Sequence, residues 1–110
     1  MNTTFKIIQK SDFTKKDGTR NIFLRFTLNR QTKYFPLNVY VMPKHFKNDK
    51  VLHADPEYYK KNLLIEHALN KANNIDFDYK VNDKKITFES FDRDFSNRNY
   101  GSKSFYAFVD

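Results

Sequence analysis

The sequence predicts an α+β fold: a three-stranded antiparallel β-sheet covered on one face by an α-helix, followed by a partial helical segment. Two observations lead to this prediction. Residues 20–41 contain two runs of alternating apolar side chains joined by a short break, which is typical of a β-hairpin with one buried face. Residues 56–75 place apolar side chains at helical spacing directly after Asp55-Pro56, a pair that favours a helix start.

The hairpin defines the centre of the predicted sheet. Apolar residues occupy every second position in residues 22–28 and again in residues 35–41. Pro36 cannot donate a ladder hydrogen bond, so the second strand is expected at the sheet edge and the first in the middle. The break at Arg30-Gln31 contains no glycine, but Asn29 before it tolerates a positive φ.

A further strand is expected at residues 4–10, with Phe5 and Ile7 inward and Lys6, Ile8 and Lys10 outward. Asp17-Gly18 predicts a tight turn before the central strand, which completes an antiparallel meander. Residues 42–55 show no period and are interpreted as a connecting loop with a short turn at residues 44–46.

The remainder of the chain is expected to lie outside the sheet domain. Residues 76–86 are largely charged and resemble a linker. Phe88, Phe91 and Phe95 follow at helical spacing, with Thr87 as a cap, and residues 104–110 open another apolar run in which the chain ends. We therefore expect a sheet domain at 1–75, a linker at 76–86 and a truncated helical domain at 87–110. The alternative is a short C-terminal element that packs back on the sheet domain.

Composition argues against catalysis and against a cofactor. The 110-residue chain has no cysteine and only two glycines, which excludes a thiolate metal site and a glycine-rich phosphate loop. His45, His53 and His67 share no metal-ligand spacing. No apolar run is long enough for a membrane span and no signal peptide is evident, so a cytoplasmic location is expected.

Positive charge is concentrated in the sheet half. Residues 1–50 carry a net charge of +8 and residues 51–110 a net charge of −1. A basic half beside a nearly neutral one suggests a polyanion-binding surface. Because the outward residues combine aromatic rings, an arginine and amides, we expect them to bind double-stranded DNA. The candidate DNA-contacting residues are Lys6, Lys10, Lys15, Lys16, Arg20, Phe23, Arg25, Thr27, Asn29, Arg30, Lys33, Tyr34, Asn38 and Tyr40.

Other interpretations of the same outward surface stay open. Exposed aromatic residues and a free edge strand also suit a protein-interaction module. A sheet that stacks RNA bases would use Phe23, Tyr34 and Tyr40. An ordinary solvated strand face with some exposed aromatic residues is the simplest alternative.

Several short motifs resemble one family. They are Thr-Phe-Lys-Ile at residues 4–7, Lys-Lys-Asp-Gly at 15–18, Ile-Phe-Leu-Arg-Phe-Thr-Leu-Asn at 22–29 and Thr-Lys-Tyr-Phe at 32–35. Together they resemble the N-terminal arm-DNA-binding domain of Bacteroidetes-type tyrosine recombinases, the integrases of phages and conjugative transposons. Residues 39–46 are similar to that family's Val-x-Pro-x-x-Trp segment, with Phe46 in place of the tryptophan. Residues 87–91 and 104–108 are similar to the opening of the helical, SAM-like core-binding domain.

The resemblance also implies how the domain binds DNA and what the full-length protein does. It implies a sheet whose outer face enters the major groove at arm-type sites, with other recombinase protomers on the same DNA. It also implies a catalytic domain with an Arg-His-Arg-Tyr set outside these residues, so no activity is expected of this part. One departure is Arg30-Gln31, where relatives usually have Asn-Gly.

Overall fold

The structure is a computed structural model, and it describes residues 3–96. It contains a three-stranded antiparallel sheet in the order β1-β2-β3, a small second hairpin and two helices. This confirms the predicted α+β class; the apolar run predicted at residues 104–110 lies outside the described residues. The elements are β1 (Thr3–Gln9), β2 (Arg20–Leu28), β3 (Gln31–Val41), a 3-10 turn (Pro43–His45), β4 (Phe46–Lys47), β5 (Lys50–Val51), α1 (Tyr58–Val81) and α2 (Phe88–Ser96).

The central strand β2 has one fully buried face, as its alternation predicts. Ile22, Leu24 and Phe26 are completely buried, while the residues between them are only partly so. On β1, Phe5 lies opposite Phe26 with ring centroids 4.9 Å apart, and Ile7 is buried opposite Leu24. The predicted phase of β1 is therefore confirmed, and Lys6 lies on the opposite, outward side.

The turn between β2 and β3 consists of Asn29 and Arg30, which have φ values of 50° and 70°. Leu28 and Gln31 pair across it, so the predicted break at Arg30-Gln31 is one residue too late. Two consecutive positive φ values define a type I′ turn, whose twist matches that of the flanking strands. Arg30 thus occupies a position that glycine adopts with less strain.

Replacing Arg30 with glycine is expected to raise the free energy of unfolding by about 0.5 to 1 kcal/mol. The left-handed conformation costs a non-glycine residue about 1 to 2 kcal/mol, and the freedom of glycine in the unfolded chain cancels part of the gain. Urea unfolding measures the difference. Arg30→Ala removes the same guanidinium but keeps the strain, so an equal gain in both variants would contradict this account.

A β-bulge interrupts the edge strand β3. Phe23 pairs with Pro36, whereas Asn21 pairs with Tyr40, so β3 uses more residues than β2 over this stretch. Asn38 lies within it at a φ of 59°, and the Asn21 side chain accepts a 3.2 Å hydrogen bond from the Val39 amide. The apolar residues of β3 alternate regularly in the sequence, so the sequence does not indicate this bulge.

Residues 42–55 form more structure than the connecting loop predicted for them. The predicted turn at residues 44–46 is a 3-10 turn that begins one residue earlier, at Pro43. Beyond it, β4 and β5 pair across Asn48 and Asp49, whose φ values of 53° and 65° define a second type I′ turn. Strands of two residues are too short to show a period, which is why the sequence analysis missed this hairpin.

Hydrogen bonds from one asparagine attach this second hairpin to α1. The Asn62 side chain accepts from the Val51 amide at 2.9 Å and donates to the Val51 carbonyl at 3.0 Å. Ile65, one turn further along the helix, is buried and lines one cleft together with Phe5 and Ile7. The first half of α1 therefore covers the inner face of the sheet, as predicted.

The start of α1 is fixed by a buried aspartate. Asp55 Oδ1 accepts from the Glu57 amide at 2.8 Å, and Oδ2 accepts from Lys61 Nζ at 2.7 Å. The helix begins at Tyr58, later than the predicted Pro56, because the capped residues first form a turn. Burial raises the pKa of the Asp55 carboxyl, but the hydrogen bonds from Lys61 and Glu57 outweigh burial and lower that pKa below its ordinary value of 3.8.

We expect Asp55→Asn to lower the free energy of unfolding at pH 7 by about 2 kcal/mol, the contribution of a hydrogen bond to a charged group. Because the folded-state pKa is lowered, this stabilisation is complete above pH 3.8 and disappears as pH falls through the folded-state value. Unfolding curves from pH 7 to pH 2 should therefore converge for the two proteins. Asp49→Asn, which alters an exposed turn carboxylate, is the control; a constant gap at all pH values would refute the assignment.

The chain divides into two compact units, one ending at Leu69 and the other beginning at Asn70, within α1. The helix does not end at residue 75 as predicted but continues to Val81, so the first part of the predicted linker is helical. It ends where Asp83 takes a φ of 56° and the Lys84 amide donates to the Tyr79 carbonyl at 2.8 Å. The division into 1–75, 76–86 and 87–110 stays a prediction.

In the second unit, Thr87 caps α2 as the sequence predicts. Its hydroxyl accepts from the Ser90 amide at 3.0 Å, and Ser90 Oγ accepts from the Thr87 amide at 3.0 Å, a reciprocal capping box. Phe91 is completely buried and stacks on Phe95 with centroids 5.1 Å apart. The Tyr79 hydroxyl donates to Asp94 at 2.9 Å, which joins α2 to the second half of α1.

Candidate nucleic-acid interface

The face of the sheet opposite the buried residues, here called the outer face, contains three cross-strand rows fixed by the strand register and, beyond the bulge, the pair Asn21 and Tyr40. Residues that are directly opposite each other in neighbouring strands lie side by side on one face. The threonine row is Thr4, Thr27 and Thr32, the cationic row is Lys6, Arg25 and Tyr34, and the apolar row is Ile8, Phe23 and Pro36.

Two lysines that flank these rows are held over aromatic rings. Lys10 Nζ lies 4.4 Å from the centroid of the Tyr34 ring and 5.2 Å from that of Phe23. Lys15 Nζ lies 3.9 Å from the centroid of the Tyr40 ring. Such cation–π contacts hold an ammonium group in place over the ring. The aromatic residues of the outer face therefore serve as supports for positive charge.

The cationic row has no acidic counterpart. Among residues 3–96, no carboxylate forms an ion pair with Lys6 or Arg25. Asp12 pairs with Lys10 at 3.3 Å at the border of the face. The Thr19 hydroxyl and amide both donate to Asp17 Oδ1, and these hydrogen bonds lower the pKa of Asp17. The central positive charge is thus free to attract an external anion.

The structure separates some of the other predicted contact residues from the outer face. Lys33 lies opposite Phe26 on the inner side, with Nζ 5.8 Å from the centroid of the Phe35 ring. Asn38 lies in the bulge and lines a cleft with Glu57 of the segment before α1. The register therefore places Lys33 on the face opposite Arg25, and the bulge takes Asn38 out of the cross-strand rows.

The remaining predicted residues lie at the two ends of the sheet. Asn29 and Arg30 form the exposed tip of the β2–β3 hairpin. At the other end, Arg20 Nε donates to Thr14 Oγ1 at 2.9 Å, so part of its role is to hold the loop before β2. Lys16 is exposed in that same loop.

Three residues of the rows that carry neither charge nor an aromatic ring were not predicted. Thr4, Thr32 and Pro36 are exposed on the outer face, and Thr32 Oγ1 lies 3.2 Å from Thr27 Oγ1. Period two on β3 from Tyr34 back to Thr32 is the signal that could have found Thr32. The hairpin break was predicted one residue too late, at Arg30-Gln31, and this error put Thr32 next to the turn instead of within the strand.

Within residues 3–96, two other kinds of feature are absent. In the described part of the chain, no group of three or more histidine or acidic side chains could hold a metal ion. Neither α1 nor α2 combines the length and the apolar character that crossing a bilayer requires.

A basic sheet domain whose cations rest on aromatic supports belongs to the class of polyanion-binding domains. Comparison with protein families is more specific: the model of the Arm DNA-binding domain matches residues 7–92. This match spans well over half of the chain, so the protein belongs to the arm DNA-binding domain family, and DNA is its ligand. No curated protein and no solved structure matches the chain.

Proposed function

We propose that the outer face binds double-stranded DNA in the major groove. In this proposal the chain is the N-terminal arm-binding part of a site-specific integrase of the tyrosine recombinase class, of the Bacteroidetes type. The observation that carries the proposal is the fixing of Lys10 and Lys15 over aromatic rings beside Arg25, which forms no ion pair within residues 3–96. That arrangement combines positive charge held at defined positions with an arginine on the central strand, where it can reach base edges.

The dimensions of the sheet suit a major groove. Three strands at a spacing of about 4.8 Å are about 10 Å wide between the outer strand axes, and the groove is about 12 Å wide. The nine residues of β2 extend for about 30 Å, too far to lie across the groove. The strands would therefore run along the groove, with β1 and β3 facing the two phosphate walls and β2 facing the base edges.

The same contacts favour duplex DNA over the two other ligand classes. A base that stacks on an aromatic side chain needs an open ring face, but an amine already occupies one face of the Tyr34 ring and one face of the Tyr40 ring. A protein-docking patch needs a contiguous apolar surface, but the cationic row with Arg25 crosses the middle of the face. Strand cleavage would belong to a catalytic domain elsewhere in the full protein, and protomers would meet on the DNA.

Lys10→Ala and Lys15→Ala are each expected to weaken binding to all duplex sequences alike. Each lysine that neutralises a phosphate contributes about one unit to the slope of log affinity against log salt concentration. Fluorescence anisotropy with a labelled duplex at several salt concentrations measures that slope. Lys47→Ala, an exposed lysine of β4, is the matched control and should leave the slope unchanged.

A second pair of variants tests whether the Tyr40 ring supports the amine of Lys15 or stacks on a base. If the Tyr40 ring only supports Lys15, then Tyr40→Leu should have no effect in the Lys15→Ala background. An additional loss of affinity in the double variant would show that the ring itself contacts the nucleic acid. Affinity that does not depend on ionic strength in any of these proteins would refute duplex binding by the outer face.

A further inference from the structure

We propose that Arg25 reads a guanine, and that the apolar row contacts the methyl group of a thymine about two base pairs away from it. This inference rests on the proposed function, because it assumes that the outer face enters a major groove. It goes further by assigning different parts of the target sequence to different rows of the face.

The position of Arg25 favours a base over a phosphate. Arg25 lies on the central strand, between Lys6 and Tyr34 in the cationic row, and it is half-buried. With the strands running along the groove, the phosphates lie about half a groove width, roughly 6 Å, to either side of β2, while the base edges lie directly beneath it. Lys6, on the outer strand β1, is closer to a phosphate wall.

The chemistry of the side chain then selects the base. A guanidinium group offers two parallel N–H donors, which match the O6 and N7 acceptors of guanine in the major groove. No carboxylate within residues 3–96 pairs with Arg25 and competes for these donors. Lys6 and Tyr34 lie directly opposite Arg25 on the two neighbouring strands, and neither offers a carboxylate to the guanidinium.

The row spacing sets the distance to the second contact. Adjacent rows on one face are two residues apart, or about 6.7 Å along the strand. That is about twice the 3.4 Å rise per base pair. Ile8, Phe23 and Pro36 form the next row toward the Lys10 end, and apolar groups in the major groove contact the thymine methyl. The inferred target thus places a guanine and a thymine two steps apart.

Selection of binding sites from a randomised duplex tests the inference. Wild-type protein should enrich one guanine, with a thymine at a fixed offset of about two base pairs. Arg25→Ala should lose the guanine preference while keeping the thymine, and Ile8→Ala should weaken the thymine preference only. Arg25→Lys keeps the positive charge, so it should retain the salt slope and lose guanine discrimination.

Modified bases test each contact in the wild-type protein, which avoids any folding defect of a variant. Replacing the selected guanine with 7-deazaguanine removes the N7 acceptor and should weaken wild-type binding about tenfold. The same replacement should not affect Arg25→Ala. Uracil in place of the thymine removes only the methyl group and should weaken binding by the wild-type protein but not by Ile8→Ala.

The outcomes distinguish this inference from the proposed function. Salt-dependent duplex binding with the same guanine selected by wild-type and Arg25→Ala protein would overturn the inference and leave the proposed function intact. A selected guanine with thymine at no fixed offset would overturn the assignment of the apolar row. Absence of any duplex binding by the wild-type protein would overturn both.

Discussion

The alternation of β2 is the constraint on which the rest of the domain depends. Ile22, Leu24 and Phe26 are completely buried on one face, and a slip of one residue would expose all of them. Because β2 pairs with a strand on each edge, its phase also sets the phase of β1 and β3. The same register fixes the rows of the outer face. Successive side chains of a strand point to opposite faces, so each outward residue lies between two residues that face the core. The core therefore determines the order of groups on the outer face.

Aromatic residues hold two lysine side chains of the outer face at defined positions. A long lysine side chain in water samples many rotamers, and ordering it costs free energy. Contacts of Lys10 with Tyr34 and of Lys15 with Tyr40 restrict these rotamers before any ligand arrives. Such preorganisation lowers the entropic cost of binding. The high content of phenylalanine and tyrosine thus has two uses in one small domain, filling the core on one side and supporting cations on the other.

The sequence predicted the features that depend on local periodicity and missed those that depend on pairing. Period two was enough to place the buried residues of β2, and the caps at Asp55 and Thr87 were visible as side-chain types. The type I′ turn at Asn29 and Arg30 and the bulge at Asn38 depend on which residues pair across strands, which alternation within one strand does not specify. For the same reason the predicted surface included Lys33, which the register places on the other face, and omitted Thr4 and Thr32 of the threonine row.

The most direct test of the central claim is an NMR titration of the ¹⁵N-labelled protein with duplex DNA. If the outer face binds the groove, the largest chemical-shift changes should occur at Phe23, Arg25 and Thr27 of β2. Lys47 of the second hairpin, whose strand pairs with none of β1, β2 and β3, carries similar charge and should change little. Largest changes in the second hairpin or along α1, with β2 unaffected, would contradict the account.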